Sequence, residues 1–203
     1  EPVLLHTARA FEKCELVDEI IVVTAKDEID RVRLMLKKRG ITKLTRVTEG
    51  GDTRMKSARN GFEAINPESE FVAIHDAARC LVTPEIIESV FESAFVFGAA
   101  ICGAVCTDTL KKSDFSDTVL ETVDRKNMWQ IETPQIFDTR MYRAAVYYAD
   151  KDGINVTDDS ALCEHAGFKV KIVESGRTNI KITYPEDIIV AEAILRSRKE
   201  TNT

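Results

Sequence analysis

No stretch of this chain is long and apolar enough to span a bilayer, and no leader of basic, apolar and small residues opens it. Both absences make a soluble, cytoplasmic protein the expectation. Positive charge is also not in excess. The 28 Lys and Arg are outnumbered by 34 Asp and Glu, for a net charge of -6. That argues against a general nucleic-acid binder and leaves room only for a local basic pocket. No C-x-x-C pair occurs among the five cysteines, Cys14, Cys80, Cys102, Cys106 and Cys163. An odd number without metal-type spacing fits a reducing compartment, and Cys102 and Cys106, flanking a strand-like run, read as core thiols. Internal repeats, low-complexity segments and linkers are missing too, so residues 1–203 read as one domain. A chain of that length buries roughly 70% of its unfolded surface and needs no covalent staple. The initiator Met is absent as well: Glu1-Pro2-Val3-Leu4-Leu5-His6 runs straight into an apolar helix pattern. The expectation is that a leading segment precedes it.

What is present alternates between two periods. Helical spacing covers Leu4 to Phe11, Asp27 to Lys38, Met55 to Ile65, Thr139 to Ala149, Asp158 to Ala166 and Tyr184 to Arg198. Thr83-Pro84-Glu85 opens a further helix with an N-cap residue and a first-turn proline. Thr157 is the expected N-cap before Asp158. Strand-like runs are Glu19 to Thr24, Lys43 to Thr48, Phe71 to Ile74, Ala99 to Val105, Met128 to Phe137 and Phe168 to Val173. This rhythm predicts βαβ units and a parallel sheet. It breaks at Thr107 to Arg125, which is polar and without period, and reads as a protruding hairpin or arm.

The central stretch is Phe71 to Arg79, a strand read as buried on both faces and closed by His-Asp-Ala-Ala-Arg. In open α/β sheets ligands bind at the carboxyl ends of strands. There Asp76 could hold a divalent cation, Ala77 and Ala78 admit a ligand to the backbone, and Arg79 could meet a phosphate. The bland alternative is an Asp capping a turn and an Arg paired with a surface carboxylate. Gly50-Gly51-x-x-Arg54-x-x-Ser57 lies between a strand and a helix, where glycines allow close approach and the helix amino end favours an anion. Lys181 sits inside the apolar run Asn179 to Thr183, where a cation requires solvent or an anionic partner.

In this order, Gly-Gly-x-x-Arg-x-x-Ser, His-Asp-Ala-Ala-Arg, Asp-Thr-x-Lys, Thr-Pro-Gln, Thr-Asp-Asp and Asn-Ile-Lys-Ile-Thr-x-Pro-Glu-Asp resemble the 2-C-methyl-D-erythritol 4-phosphate cytidylyltransferase family, from Pro2 to about Ala193. The resemblance implies an α/β, Rossmann-like three-layer α/β/α nucleotidyltransferase fold of the glycosyltransferase-A type, with a protruding β-arm at residues 107–126. It implies CTP and a polyol phosphate as substrates, Mg²⁺ as cofactor, and a homodimer whose arms reach the partner's site. Gly51, Asp52, Arg54 and Ser57 then belong to the nucleotide, with Asp76 and Ala77 beside its ribose, triphosphate and metal. Arg79, Thr109, Arg125, Thr133, Thr157 and Lys181 belong to the acceptor, Thr109 and Arg125 coming from the partner's arm. Arg125 and Lys181 are the implied catalytic residues.

The chain departs from the family in three places. The family's opening Ala-Ala-Gly-x-Gly-x-Arg-Met loop and following Lys, which wrap the triphosphate, are not in this sequence. Cys80 stands in place of a usual Pro, and Glu132 in place of a frequent Gln. The rival readings are a ribitol-5-phosphate cytidylyltransferase, against which Ala78 and Trp129 speak, and a nucleotide-binding module without catalysis.

Overall fold

The computed structural model describes residues 1–201. Helices α1 (Val3–Lys13), α2 (Ile29–Lys38), α3 (Arg54–Glu63), α4 (Pro84–Phe97), α5 (Thr139–Asp152), α6 (Ser160–His165) and α7 (Pro185–Thr201) alternate with strands. The strands are β1 (Ile20–Thr24), β2 (Leu44–Glu49), β3 (Phe71–Ile74), β4 (Ala99–Val105), β5 (Leu110–Ser113), β6 (Val119–Val123), β7 (Trp129–Asp138) and β8 (Lys171–Glu174). Local chemistry explains the boundaries. Thr83 Oγ1 accepts the Ile86 amide, with Pro84 in the first turn of α4, and Gly98 ends that helix at φ 78. Asp138 accepts the amides of Arg140 and Met141 and so starts α5.

β1 and β2 pair parallel, as expected, while a second sheet runs β3-β7-β4-β8. The expected parallel pairing holds for β1–β2 and β4–β8 but not for β7. β7 lies antiparallel to both β3 and β4, and only β4 and β8 are parallel in that sheet. The polar insertion after β4 returns the chain from the opposite direction, so β7 enters between β3 and β4 reversed. Three further expectations need correction. Asn179 to Thr183 is a loop, joined to the core by the Ile182 amide on the Ala78 carbonyl. The helix expected from Asp27 begins as a 3₁₀ turn, Lys26–Glu28. β3 is partly rather than wholly buried, because one edge faces a cleft.

Apolar side chains fill both faces of the larger sheet. Phe11, Val90, Phe91 and Ile136 pack on one side with α1 and α4; Phe62, Phe137, Tyr142 and Leu162 pack on the other with α3, α5 and α6. This is the three-layer α/β/α arrangement. Each such apolar side chain withdrawn from water contributes about 1.5–3 kcal/mol before entropy is counted. All five cysteines are free and buried, as a core role requires. No helix among the described residues is long and apolar enough to cross a membrane.

A cavity of about 1050 Å³ is lined by Ile20 to Val23 of β1 and by Phe71 to Ile74 of β3. At its floor Glu19 accepts the Asn66 amide at 2.6 Å, with the Ser69 hydroxyl at 3.5 Å. The amino ends of β1 and β3 therefore sit together, and both strands rise toward the same mouth. The arm is the antiparallel pair β5 and β6, with Phe115, Val119 and Leu120 exposed on it.

Candidate active site at the cleft mouth

Two connections meet where β2 and β3 end. The first is the turn Gly50–Gly51 leading into α3. Thr53 caps that helix by accepting the Lys56 amide at 3.1 Å. The Ser57 hydroxyl accepts the Gly51 amide at 3.0 Å and donates to the Thr53 carbonyl at 2.9 Å, closing the turn on itself. A Cβ on Gly51 would lie 2.3 Å from Lys56 Cβ and 3.2 Å from the Lys56 carbonyl carbon, so only glycine permits this approach. Asp52 is exposed and pairs with Lys56 at 2.9 Å.

The second connection follows β3. The Asp76 amide donates to Thr133 Oγ1 at 3.0 Å, and Thr133 Oγ1 lies 3.1 Å from His75 Nδ1. His75 Nε2 is 3.2 Å from the Arg79 carbonyl. Burial lowers the His75 imidazole to about 4, so it is neutral near pH 7. With Thr133 accepting from Asp76, its hydroxyl proton points to Nδ1, and Nε2–H points to Arg79. A neutral relay thus fixes the corner.

The Asp76 carboxylate faces three cations. Lys181 Nζ is 2.9 Å away, Arg79 Nε is 3.8 Å away, and Arg54 acts on it from α3. Burial works to raise the Asp76 carboxyl, but Lys181, Arg54 and Arg79 together hold it below the ordinary value. Lys181 keeps 46% of its side chain exposed, so an anion from solvent can reach it. Arg79 is turned inward. Its Nη1 donates to the Asn179 carbonyl at 2.8 Å, and Glu132 lies 3.8 Å away. It clamps the loop that carries Lys181. Ala77 accepts the Thr7 hydroxyl at 2.7 Å.

Of the residues singled out in the sequence, Gly51, Arg54, Ser57, Asp76, Ala77, Arg79, Thr133 and Lys181 gather around this mouth. Thr157 lies on the exposed loop before α6 and is not its cap; Asp159 occupies that position. Thr109 and Arg125 are at the base of the arm, where Arg125 donates to the Thr107 carbonyl and Arg177 donates to the Thr107 hydroxyl. No bond ties either to the Asp76 corner among the described residues. Sequence reading gave no role to Glu132, Gln135, Tyr142 or Asp159, which form a buried polar support behind the mouth. The usable signal was their place in the motifs, Gln135 in Thr-Pro-Gln and Asp159 in Thr-Asp-Asp.

An α/β sheet with a glycine turn, a carboxylate, a half-exposed lysine and a helix-borne arginine at its strand ends suits a nucleotide-handling transferase of the nucleotidyltransferase class. The family profile for 2-C-methyl-D-erythritol 4-phosphate cytidylyltransferase matches residues 1–197, and the chain belongs to that family. A relative of that name from Caldanaerobacter subterraneus is 42% identical over 197 residues, covering 97% of this chain and 87% of the relative. The solved 4-diphosphocytidyl-2C-methyl-D-erythritol synthase from Anaerococcus prevotii superposes with a TM-score of 0.88 at 34% identity, covering 97% of this chain and 86% of that one. The Thermus thermophilus 2-C-methyl-D-erythritol 4-phosphate cytidylyltransferase structure gives 0.79 at 30% identity, with 97% and 90% covered.

Gly51→Ala tests the turn. The added methyl forces the backbone away from Lys56, and we expect a loss of about 1–3 kcal/mol in urea unfolding. An unchanged midpoint would contradict the close approach.

Proposed function

We propose that the protein joins CTP to 2-C-methyl-D-erythritol 4-phosphate, forming the CDP-polyol and releasing pyrophosphate in non-mevalonate isoprenoid biosynthesis. The observation that carries this reading is the pairing of Asp76 with Lys181 at the strand ends, in a chain matched over residues 1–197 by that family. In the reaction a phosphate oxygen of the acceptor forms a bond to the α-phosphorus of CTP. The bond from that phosphorus to the oxygen bridging it to the β-phosphorus breaks, and the electron pair leaves with pyrophosphate. The attacking phosphate is already ionised, so no general base is needed. Positioning and charge neutralisation are needed, because two anions are brought together.

In this reading Gly51, Asp52, Arg54 and Ser57 form the nucleotide side, and Asp76 with Ala77 meets the ribose and triphosphate. Lys181 exchanges Asp76 for the acceptor phosphate, and Arg79, Thr133 and Thr157 shape that pocket. Mg²⁺ is the cofactor of the proposal. Among the described residues no cluster of three or more His, Cys, Asp or Glu could cage a metal. Mg²⁺ commonly takes one or two carboxylates and completes its shell with water and substrate phosphates, so the lone hard ligand Asp76 fits it. When bound, the ion would neutralise triphosphate charge.

The arm completes the proposal. Its exposed Phe115, Val119 and Leu120 suit contact with a second copy of the chain, in whose site Thr109 and Arg125 would serve. Co-expressing Arg125→Ala with Asp76→Asn tests this homodimer. Each variant alone should be nearly inactive, while about one quarter of wild-type sites should return through mixed dimers. Verified mixed dimers without activity would overturn the shared site.

Pyrophosphate release, measured with CTP and each of two acceptors, tests the function. We expect kcat/KM at least about tenfold higher for 2-C-methyl-D-erythritol 4-phosphate than for ribitol 5-phosphate, roughly 1.4 kcal/mol. Lys181→Ala should raise KM for the polyol phosphate about tenfold and that for CTP much less. Equal or reversed acceptor preference contradicts the substrate, and a Lys181→Ala change confined to thermal stability contradicts its role.

A further inference from the structure

Arg54 is held from behind. Its Nη2 is 2.8 Å from Oδ2 of Asp159, a side chain only 1% exposed. The other carboxylate oxygen accepts the Tyr142 hydroxyl at 2.6 Å. Asp159 is the residue before α6, where an aspartate ordinarily turns back to cap its own helix. It makes no such bond. Other groups serve the helix start instead. Asp158 Oδ1 accepts the Ala161 amide at 3.3 Å, and Gln135 Oε1 accepts the amides of Asp159 and Ser160 at 3.1 and 3.0 Å. Gln135 Nε2 then donates to Asp158 Oδ2 at 3.0 Å. The Asp159 carboxylate is thus released from capping and aimed across at α5 and α3. With Asp159 buried and Arg54 38% exposed, desolvation of the carboxylate offsets much of the pair's attraction. Its geometry calls for another purpose.

We propose that Asp159, braced by Tyr142, is the positioning residue for Arg54: it holds the guanidinium on the nucleotide side of the cleft mouth and ties it to the loop carrying Thr157. This rests on the reading of Arg54 as a nucleotide-binding group. The carboxylates that face Arg54 are Asp159, Asp76 and Asp158. With Asp159 as its fixed counter-ion, Arg54 stays off Asp76 and leaves that carboxylate to Lys181. Arg54 opens α3 behind the Gly50–Gly51 turn, and Asp159 lies two residues beyond Thr157.

The test is CTP affinity by calorimetry for the wild type, Asp159→Asn, Arg54→Ala, the double variant and Tyr142→Phe, with KM for the polyol phosphate and the thermal midpoint recorded for each. Asp159→Asn should weaken CTP binding about tenfold and move the acceptor KM by less than about twofold. The double variant should bind CTP no worse than Arg54→Ala alone, because the two act as a unit. Tyr142→Phe, which keeps the carboxylate and removes one brace, should fall between wild type and Asp159→Asn, and it carries the test if Asp159→Asn does not fold. If Arg54→Ala weakens CTP and neither Asp159→Asn nor Tyr142→Phe does, the inference fails and the reading of Arg54 stands. If Arg54→Ala leaves CTP binding unchanged, the reading fails and takes the inference with it. Additive losses, or equal losses for both substrates in step with the thermal midpoint, would make Asp159 a structural residue and overturn the proposal.

Discussion

The attraction between one carboxylate and the cations around it organises the cleft mouth. Asp76 stands at the end of β3, where Lys181 reaches it from a distant loop and Arg79 from the same corner, while the charge of Arg54 acts on it from α3. The rest of the site is support for this balance. The Thr133–His75–Arg79 relay fixes the backbone corner, and Arg79 pins the loop bearing Lys181. Asp159 restrains Arg54 from the far side.

That balance also explains how the site can accept anions. Lys181 is half exposed and tied to Asp76 by a single contact, so it can change partners at small cost. Arg79, by contrast, is held by a backbone carbonyl in a buried position and is the fixed member of the set. A half-exposed cation beside a buried one suits a reaction whose main difficulty is bringing two phosphates together.

Much of the fold could be read from periodicity. β3 was placed at its observed residues, and the Thr83-Pro84 start of α4 followed from capping chemistry alone. The direction of β7 could not be read, because apolar alternation is the same in a parallel and an antiparallel strand; pairing across the fold decides it. Asn179 to Thr183 alternates like a strand yet remains a loop, since Arg79 and Ala78 take its backbone groups instead of a neighbouring strand. The motifs at the site were visible separately, and Asp76 and Lys181 could each be suspected from a charge beside apolar residues. Their contact could not, being made across about half the chain. Asp159 was hidden by its position, since an aspartate before a helix has an ordinary explanation as a cap.

The most direct test of the Asp76-centred account is the magnesium dependence of CTP binding, followed by calorimetry in wild type and Asp76→Asn. The substitution keeps the shape of the side chain and removes its charge. The account predicts that Mg²⁺ tightens CTP binding to the wild type and that Asp76→Asn loses most of that gain while keeping its thermal midpoint within a few degrees. The same Mg²⁺-dependent gain in both proteins would contradict it and remove Asp76 from the centre of the site.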